Sequence, residues 1–461
     1  MTLLPLNTPS LDPADVQGPI ERWAVWLLVG LSIAFSLVPD SFTMGTVGPE
    51  VTHTISEGSA LRQVQFGSIF LASAWLAWRH AGLTVMRLRA INPFLMLVLF
   101  YCGVSALWSG YPDITIKRTA IFAGLMLTGL AISPPVSQAQ QFLRVIMGTL
   151  TLLVGVSCIV AITIPSVGVD YFLGGAWRGI TWQKNSLGSI AGFCLLLWVR
   201  EWLIHPANRR WSTAALLLSL FVMVMAKSAT AFLVTGIAIG IYLVSRRRLL
   251  GGRHTGQLVL LSLLMASLYA VLVFYIGSGR FPHVSDVLGI VTSLLNKSSD
   301  LTGRGDIWRL VERASELHPT WGFGYSGFWV GDGGPAQFIA DQFGWMPSHA
   351  HNGFIDIQNE LGEVGYILFM LLMFWHSVSL VRLFRIDRED AAMHSAIFVA
   401  IIVSNFSESS FLKDTSFQNI VFIYSSLAIS ARLAVDRAKV RARAAVAPPP
   451  AESVRKNSWS L

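Results

Sequence analysis

The sequence predicts an all-α protein: a polytopic membrane helix bundle of about 12 transmembrane helices with a long, partly helical outer (periplasmic) loop. Two observations predict it. Apolar residues make up 53% of the chain and charged residues only 13%, with a mean hydropathy of +0.57. Apolar runs of about 15 to 25 residues also recur along most of the length, each roughly what a helix needs to cross about 30 Å of hydrocarbon.

Taken in order, spans are expected near 23–39, 63–78, 91–108, 119–133, 142–165, 186–199, 212–226, 229–245, 257–276, 364–381, 394–411 and 417–431. No basic segment precedes the first run and no clear small-residue cleavage site follows it, so it reads as a retained helix. The organisation that follows is a cytoplasmic segment (1–22), nine spans (23–276), a large periplasmic loop (277–352), three spans (353–433) and a basic disordered tail (434–461). Placing both termini in the cytoplasm puts about 22 of the 34 Lys and Arg on the inside, as the positive-inside rule requires. The formal charge of +8 then needs no nucleic-acid partner. Cys102, Cys158 and Cys194 fall in expected spans as small apolar packing residues, with no disulfide framework or CxxC pattern.

Chemistry is expected where the chain stops resembling lipid-facing helix. The outer loop is far longer than an ordinary connection, yet it holds Trp308, Trp321, Phe323, Tyr325, Phe328, Trp329 and Trp345, a composition opposed to disorder. Within it, residues 306–317 place Ile307, Leu310, Val311, Ala314 and Leu317 at helical spacing, which predicts an amphipathic helix with Arg304 at its mouth. Helix N-termini and arginines both favour anions. A second outer segment, 166–185, carries Arg178, Lys184 and Asn185. A third begins at His349-Ala350-His351-Asn352 and runs into a helix with a polar stripe, Asn352, Asp356, Asn359, Glu360 and Glu363. Such residues at membrane depth are costly and face a cavity or the bundle interior. Gly362 and Gly365 lie just below, where small residues permit close helix contact.

The His349/His351 spacing can hold a metal with Asp356 or Glu360 as oxygen ligand, but no second histidine pair or DxD motif completes a shell. A neutral imidazole can instead take a proton from an attacking hydroxyl, while an arginine fork neutralises a diphosphate leaving group without a divalent ion. No nucleophile elbow or P-loop is present.

These residues resemble a family. His351-Asn352, nine residues, Gly362, two residues and Gly365 resemble the histidine-to-diglycine signature of the bacterial O-antigen ligase and polysaccharide polymerase superfamily, in particular its exopolysaccharide polymerase branch. Thr302-Gly303-Arg304 with Ile307-Trp308 and the run from His318 to Gly324 resembles its outer-loop pattern. Arg178-Gly179 with Lys184 to Gly188 resembles its shorter loop, and Lys227 to Thr230 its serine-containing turn. The family's Arg-x3-Leu element is met by Arg313 and Leu317 and not by Arg304, which leaves open the arginine that meets the diphosphate.

The resemblance implies metal-independent, inverting glycosyl transfer from an oligosaccharide on a polyprenyl diphosphate. It implies the bacterial inner membrane, an active site facing the periplasm, no cofactor, and chain-length regulator and export proteins as partners besides membrane lipids. Under it, His351 is the base, Arg304 and Arg178 hold the diphosphate, and Asn352, Lys184, Asn185, Arg313, Trp308 and Glu360 are substrate-binding candidates. Transfer to a second lipid-linked glycan and transfer to lipid A core remain alternatives, and so does a flippase with the polar stripe lining its pathway.

Overall fold

The computed structural model describes residues 19–39, 60–132, 139–246, 304–413 and 415–446. The expected span at 257–276, the outer loop up to residue 303 (Thr302 and Gly303 included) and the tail beyond residue 446 lie outside the described residues. The described fold is helical. Its helices are α1 (Pro19–Leu37), α2 (Ala60–Arg79), α3 (Ala81–Leu88), α4 (Pro93–Val104), α5 (Pro112–Ile132), α6 (Ala139–Thr163), α7 (Lys184–Ile204), α8 (Arg209–Met225), α9 (Ala229–Arg246), α10 (Arg304–Ser315), α11 (Gln337–Phe343), α12 (Gly353–Leu383), α13 (Arg388–Ser404) and α14 (Phe417–Val446). A two-residue hairpin, Val169–Asp170 against Ala176–Trp177, sits in the loop before α7.

Among the described residues, six helices are long and apolar enough to cross a membrane: α5, α6, α7, α9, α12 and α14. A seventh span results if α3 and the segment Pro93–Leu107, bent by 91°, count as one. The chain is a multi-pass membrane protein. Helices α1, α2, α8 and α13 stand at four further expected positions, but α8 and α13 have 17 residues each and the apolar part of α1 is confined to Trp23–Leu37. Solvation follows the membrane pattern. Leu71, Trp78, Phe100, Leu152 and Leu233 are exposed on helix surfaces, whereas Ser32, Ser73, Thr128 and Asn405 are buried inside. Several buried hydroxyls donate back to carbonyls one turn earlier, as Ser32 does to Leu28, Ser73 to Ile69 and Thr128 to Gly124. Inside an apolar medium this spares each hydroxyl an unmade hydrogen bond.

Two expected spans shift in ways that matter. The run at 394–411 ends as helix at Ser404, and residues 405–411 instead form a polar loop. Asn405 builds that loop, its Oδ1 accepting from the N–H groups of Ser410 and Phe411 and its Nδ2 donating to Ile401 O. The run at 364–381 belongs to a helix that starts at Gly353 but breaks at Gly362, where φ is 63° and ψ is −168°. Only glycine occupies that region without strain.

The break has a structural cause. The outer segment 319–326 inserts beside it and bonds to the backbone it frees: Phe323 N–H to Asn359 O, Gly324 N–H to Glu360 O, Glu363 N–H to Pro319 O and Val364 N–H to Thr320 O. A Cβ at Gly362 would strike the Thr320 carbonyl and the Trp321 N–H, and one at Gly322 would strike the Glu360 carbonyl. Tyr325 continues the insertion into the main core, 1% exposed, with its hydroxyl donating to Leu412 O at 2.5 Å. The outer segment is therefore partly a piece of the bundle. Its remainder forms a second core, in which Ile307, Trp308, Val311 and Ala314 of α10 pack on Phe328, Trp329, Ile339 and Ile355. Leu317, expected on the apolar face of α10, lies past the helix end and is exposed; Trp308 takes that place.

The Gly362→Ala variant is expected to lose about 3 kcal/mol or more of stability, because a side chain there demands both a disfavoured backbone and displacement of the docked segment. Thermal unfolding of the detergent-solubilised protein measures it. An unchanged midpoint would contradict the docking.

Candidate active site

His351 lies at the junction of the outer segment and α12, and the residues around it hold it from several sides. The Ala350 N–H faces the Asp356 carboxylate at 3.2 and 3.3 Å, and the Ala350 carbonyl accepts from the Trp308 indole at 2.8 Å. Asp356 also accepts from Trp329 Nε1 at 2.7 Å. The His351 N–H donates to His349 Nδ1 at 3.0 Å, and the Asn352 N–H to Ser409 Oγ at 2.9 Å. The Asn352 side chain caps α12, accepting from the N–H groups of Phe354 and Ile355. His351 itself has φ of 54°, an uncommon value for a residue with a side chain. Leu412, beside Lys413, has the same φ of 54°. Strain of this kind concentrates where surroundings fix a functional geometry.

Glu408, in the polar loop after α13, faces His351. Its Oε2 stands 3.5 Å from His351 Nδ1, slightly longer than a hydrogen bond. Its Oε1 accepts from Asn185 Nδ2 at 2.7 Å and lies 3.4 Å from Arg304 Nη2. Ser228 Oγ, in the turn before α9, donates to Asn185 Oδ1 at 3.1 Å. One carboxylate thus gathers α7, α9, α10 and the outer segment. Burial raises the Glu408 pKa, but the facing His351 ring, His349 and the Arg304 guanidinium outweigh it, leaving the carboxyl below its ordinary range. Burial lowers His349, and the neighbouring His351 and Lys413 charges add to it, bringing its pKa to about 3.

His349, His351 and Glu408 line a cavity of about 800 Å³ at one end of the bundle. Its wall also carries Arg62, Arg118, Lys413, Trp182, Asn185 and Ser228. Arg62 stacks over the Trp182 ring at 5.1 Å. Lys413 stands 3.3 Å from Glu360 and 3.8 Å from Asp356. Burial lowers its pKa, yet the Glu360 and Asp356 carboxylates outweigh the burial, so its ammonium is held above the usual value. The opposite end of the bundle holds a separate cluster in which Arg246 Nε meets Glu389 at 3.0 Å.

The other residues singled out in the sequence are placed as follows. Arg304 does not line the cavity; it donates to Ser407 O at 2.7 Å and braces Glu408. Arg178 is spent on its own loop, its Nε donating to Val167 O at 2.8 Å, away from the cavity. Lys184 begins α7 but is not on the cavity wall, while Asn185 is. Arg313 is exposed on α10. Trp308 is buried and positions Ala350. Glu360 is buried beneath the inserted segment, accepting from the Ser326 N–H at 2.9 Å. The polar stripe of α12 therefore holds protein: Asn359 Oδ1 accepts from Ser315 Oγ, just as Asp356 takes Trp329 and Glu360 takes Ser326.

Sequence reasoning missed Glu408, Lys413, Arg62 and Arg118. Glu408 was hidden in an apparent span, although the run Ser404-Asn405-Phe406-Ser407-Glu408-Ser409-Ser410 is too polar for one. The other three were already outer cations by the topology, the minority that the positive-inside rule leaves unexplained. The ligand atoms of His349, His351 and Glu408 lie within 4.8 Å of one another, so these three can hold a metal ion. Part of that capacity is already engaged: His349 Nδ1 accepts from the His351 N–H, and Glu408 Oε1 from Asn185 Nδ2.

Comparison with known proteins finds a likeness over part of the chain. Residues 214–370 match the O-antigen ligase family, a stretch that includes the turn at Ser228, Arg304, His351, Gly362 and Gly365. Over that stretch, less than half of its length, the chain is similar to the O-antigen ligase family. It is also 27% identical over 221 residues to the exopolysaccharide production protein ExoQ of Rhizobium meliloti (strain 1021). That alignment covers 46% of this chain and 48% of that protein, so the chain spans about half the length of this relative. The family match covers most of α8, all of α9, α10 and α11, and most of α12; Arg62, Arg118, Glu408 and Lys413 lie outside it.

The low pKa of His349 has a consequence for acid stability. Folded, the ring stays neutral down to about 3; unfolded, it takes a proton near its ordinary value of 6.5. Between those values the unfolded chain binds the extra proton, so the contribution is complete above 6.5 and is lost as pH falls toward 3. His349→Asn keeps an acceptor for the His351 N–H. Its unfolding midpoint, followed from neutral pH downward, should fall less steeply than that of the unaltered protein, and an equal slope would contradict the assignment.

Proposed function

We propose that the chain is a membrane glycosyl transferase that polymerises polyprenyl-diphosphate-linked oligosaccharide repeats into an exopolysaccharide, working at the periplasmic face of the bacterial inner membrane. The observation that carries this reading is the cavity itself, whose lining combines His351, faced by Glu408, with the cations Arg62, Arg118 and Lys413.

In this reading an acceptor hydroxyl attacks the anomeric carbon of the donor from the face opposite the diphosphate. His351 Nε2 takes the hydroxyl proton as the new bond forms. Glu408, facing Nδ1, favours the tautomer that leaves Nε2 free and stabilises the imidazolium that results. The bond from the anomeric carbon to the diphosphate oxygen breaks, and the charge on that oxygen is met by Arg62, Arg118 and Lys413. Single displacement inverts the anomeric centre. Arg304 and Arg178, expected at the diphosphate, act here as a brace for Glu408 and a loop strut. Three cations supply what a divalent ion would otherwise supply, so metal-independent transfer fits the site. The prenyl tail lies between helices in the bilayer.

Transfer to lipid A core is the second reading, favoured by the description of the matched family as O-antigen ligase; the exopolysaccharide relative favours polymerisation. The polar stripe of α12 is occupied by loop contacts, which weighs against a flippase pathway.

In purified protein supplied with a lipid-diphosphate oligosaccharide, His351→Ala should lower the transfer rate about 10²- to 10⁴-fold, and a chelator should leave the unaltered enzyme's rate intact. Unchanged extension in the variant would sink the base assignment, and loss with chelator would transfer the chemistry to a metal. A deletion strain should lose high-molecular-weight secreted polysaccharide while keeping capped lipopolysaccharide; the reverse pattern would establish the ligase.

A further inference from the structure

A second concavity lies at the same end of the molecule, about 670 Å³ in volume, and none of its lining residues lines the His351 cavity. It is formed by the turn after α4 and by the loop that leads from α10 into the inserted segment, with Trp108, His318, Thr320, Trp321 and Phe323 on its walls. Three aromatic rings form one cluster, in which Tyr101 and Trp321 are stacked and Trp108 is tilted against both. Tyr101 and Trp321 lie 6.4 Å apart at 22°, and Trp108 lies 5.7 Å from Tyr101 and 5.4 Å from Trp321. Their orientation is fixed by bonds that spend their polar tips inside the protein: Trp108 Nε1 donates to Trp321 O at 3.1 Å, and the Tyr101 hydroxyl to Leu361 O at 3.0 Å. Even so, Trp321 remains 53% exposed.

We infer that this groove is a saccharide subsite that holds a segment of the growing glycan by stacking sugar rings on Trp321 and Trp108. Its volume is that of a ligand pocket, and it pairs a largely apolar lining with few polar groups, Thr320 and His318, as such pockets do. The C–H-rich face of a pyranose matches an indole face, and its hydroxyls match that rim. Among the described residues, no Lys, Arg, Asp or Glu lines the groove, so they offer an anionic lipid headgroup no counter-charge. Trp108, with its N–H committed to protein, is not used as an interfacial anchor through its polar tip. The backbone of Trp321 is tied to the break at Gly362, which makes the platform rigid relative to the bundle.

The inference rests on the polymerase reading, and it assigns the groove a different task from the cavity. A sugar bound here is away from the reacting anomeric carbon, so the groove retains the polymer between cycles and leaves bond formation alone. Its removal should shorten products more than it slows the first transfer.

Two measurements test it with the full-length protein in detergent. Tryptophan fluorescence titrated with hexasaccharide fragments of the host's own polysaccharide should saturate, and Trp321→Ala should weaken binding about threefold to tenfold while Trp321→Phe restores most of it. In the polymerisation assay, Trp321→Ala should shorten the chains by a larger factor than it lowers the initial rate, with length again restored by Trp321→Phe. Absence of hexasaccharide binding would overturn the inference whether or not the protein polymerises, and unaltered chain length would overturn it too. Parallel loss of rate, chain length and thermal stability would assign Trp321 to membrane anchoring instead. An inactive protein that binds hexasaccharide through Trp321 would leave the subsite standing and remove the polymerase reading.

Discussion

The rest of the site depends on the docking of residues 319–326 against the broken backbone of α12 at Gly362. A helix that breaks in an apolar medium exposes carbonyl and N–H groups that nothing in lipid can satisfy. Here the inserted segment satisfies them, and Gly322 and Gly362 leave just enough room for two backbones to touch. The insertion carries Tyr325 to Leu412, and Lys413 follows on the cavity wall. It also brings the Ser326 N–H to Glu360, whose other oxygen faces Lys413. One backbone contact thereby fixes one side of the cavity.

The opposite side depends on Ala350, bonded through its N–H to Asp356 and through its carbonyl to Trp308. That residue sits between two histidines and leaves neither free to turn with the loop. His351 is held in a left-handed conformation facing Glu408, which is itself bonded by Asn185 and braced by Arg304. For the base role proposed above, a ring held in this way loses little freedom when substrate arrives, which is the general advantage of a preorganised site.

The legible part of this protein was what periodicity and spacing record. The apolar runs locate most helices, the aromatic content of the segment after residue 304 predicts a folded loop, and the spacing from His351 to its two glycines singles out the residue that faces Glu408. Small residues at Gly362 and Gly365 predict close contact; Gly365 does pack closely against Tyr101, whereas the break at Gly362 depends on the segment that docks there. Of the polar stripe, Asn352, Asp356, Asn359 and Glu360 are buried and Glu363 is exposed, and burial alone does not say whether the partner is substrate or protein. Arg178 and Arg304 were selected because they lie near motifs, whereas Arg62, Arg118 and Lys413 reach the cavity from three separate parts of the chain. Convergence of that kind is a property of packing. Glu408 leaves the more specific trace, as a polar run inside an apparent span, whereas the three cations are legible only as members of the expected outer minority.

Under the proposed function the donor diphosphate lies in the cavity between His351 and three cations, Arg62 of α2, Arg118 of α5 and Lys413 before α14. A structure of the protein in a lipid nanodisc with a non-hydrolysable polyprenyl-diphosphate oligosaccharide tests this placement. Phosphate density is expected within hydrogen-bonding reach of Arg118 and Arg62, with the anomeric carbon on the His351 side. Density seated on Arg178 or Arg304, with the cavity of His351 free of donor, would contradict it.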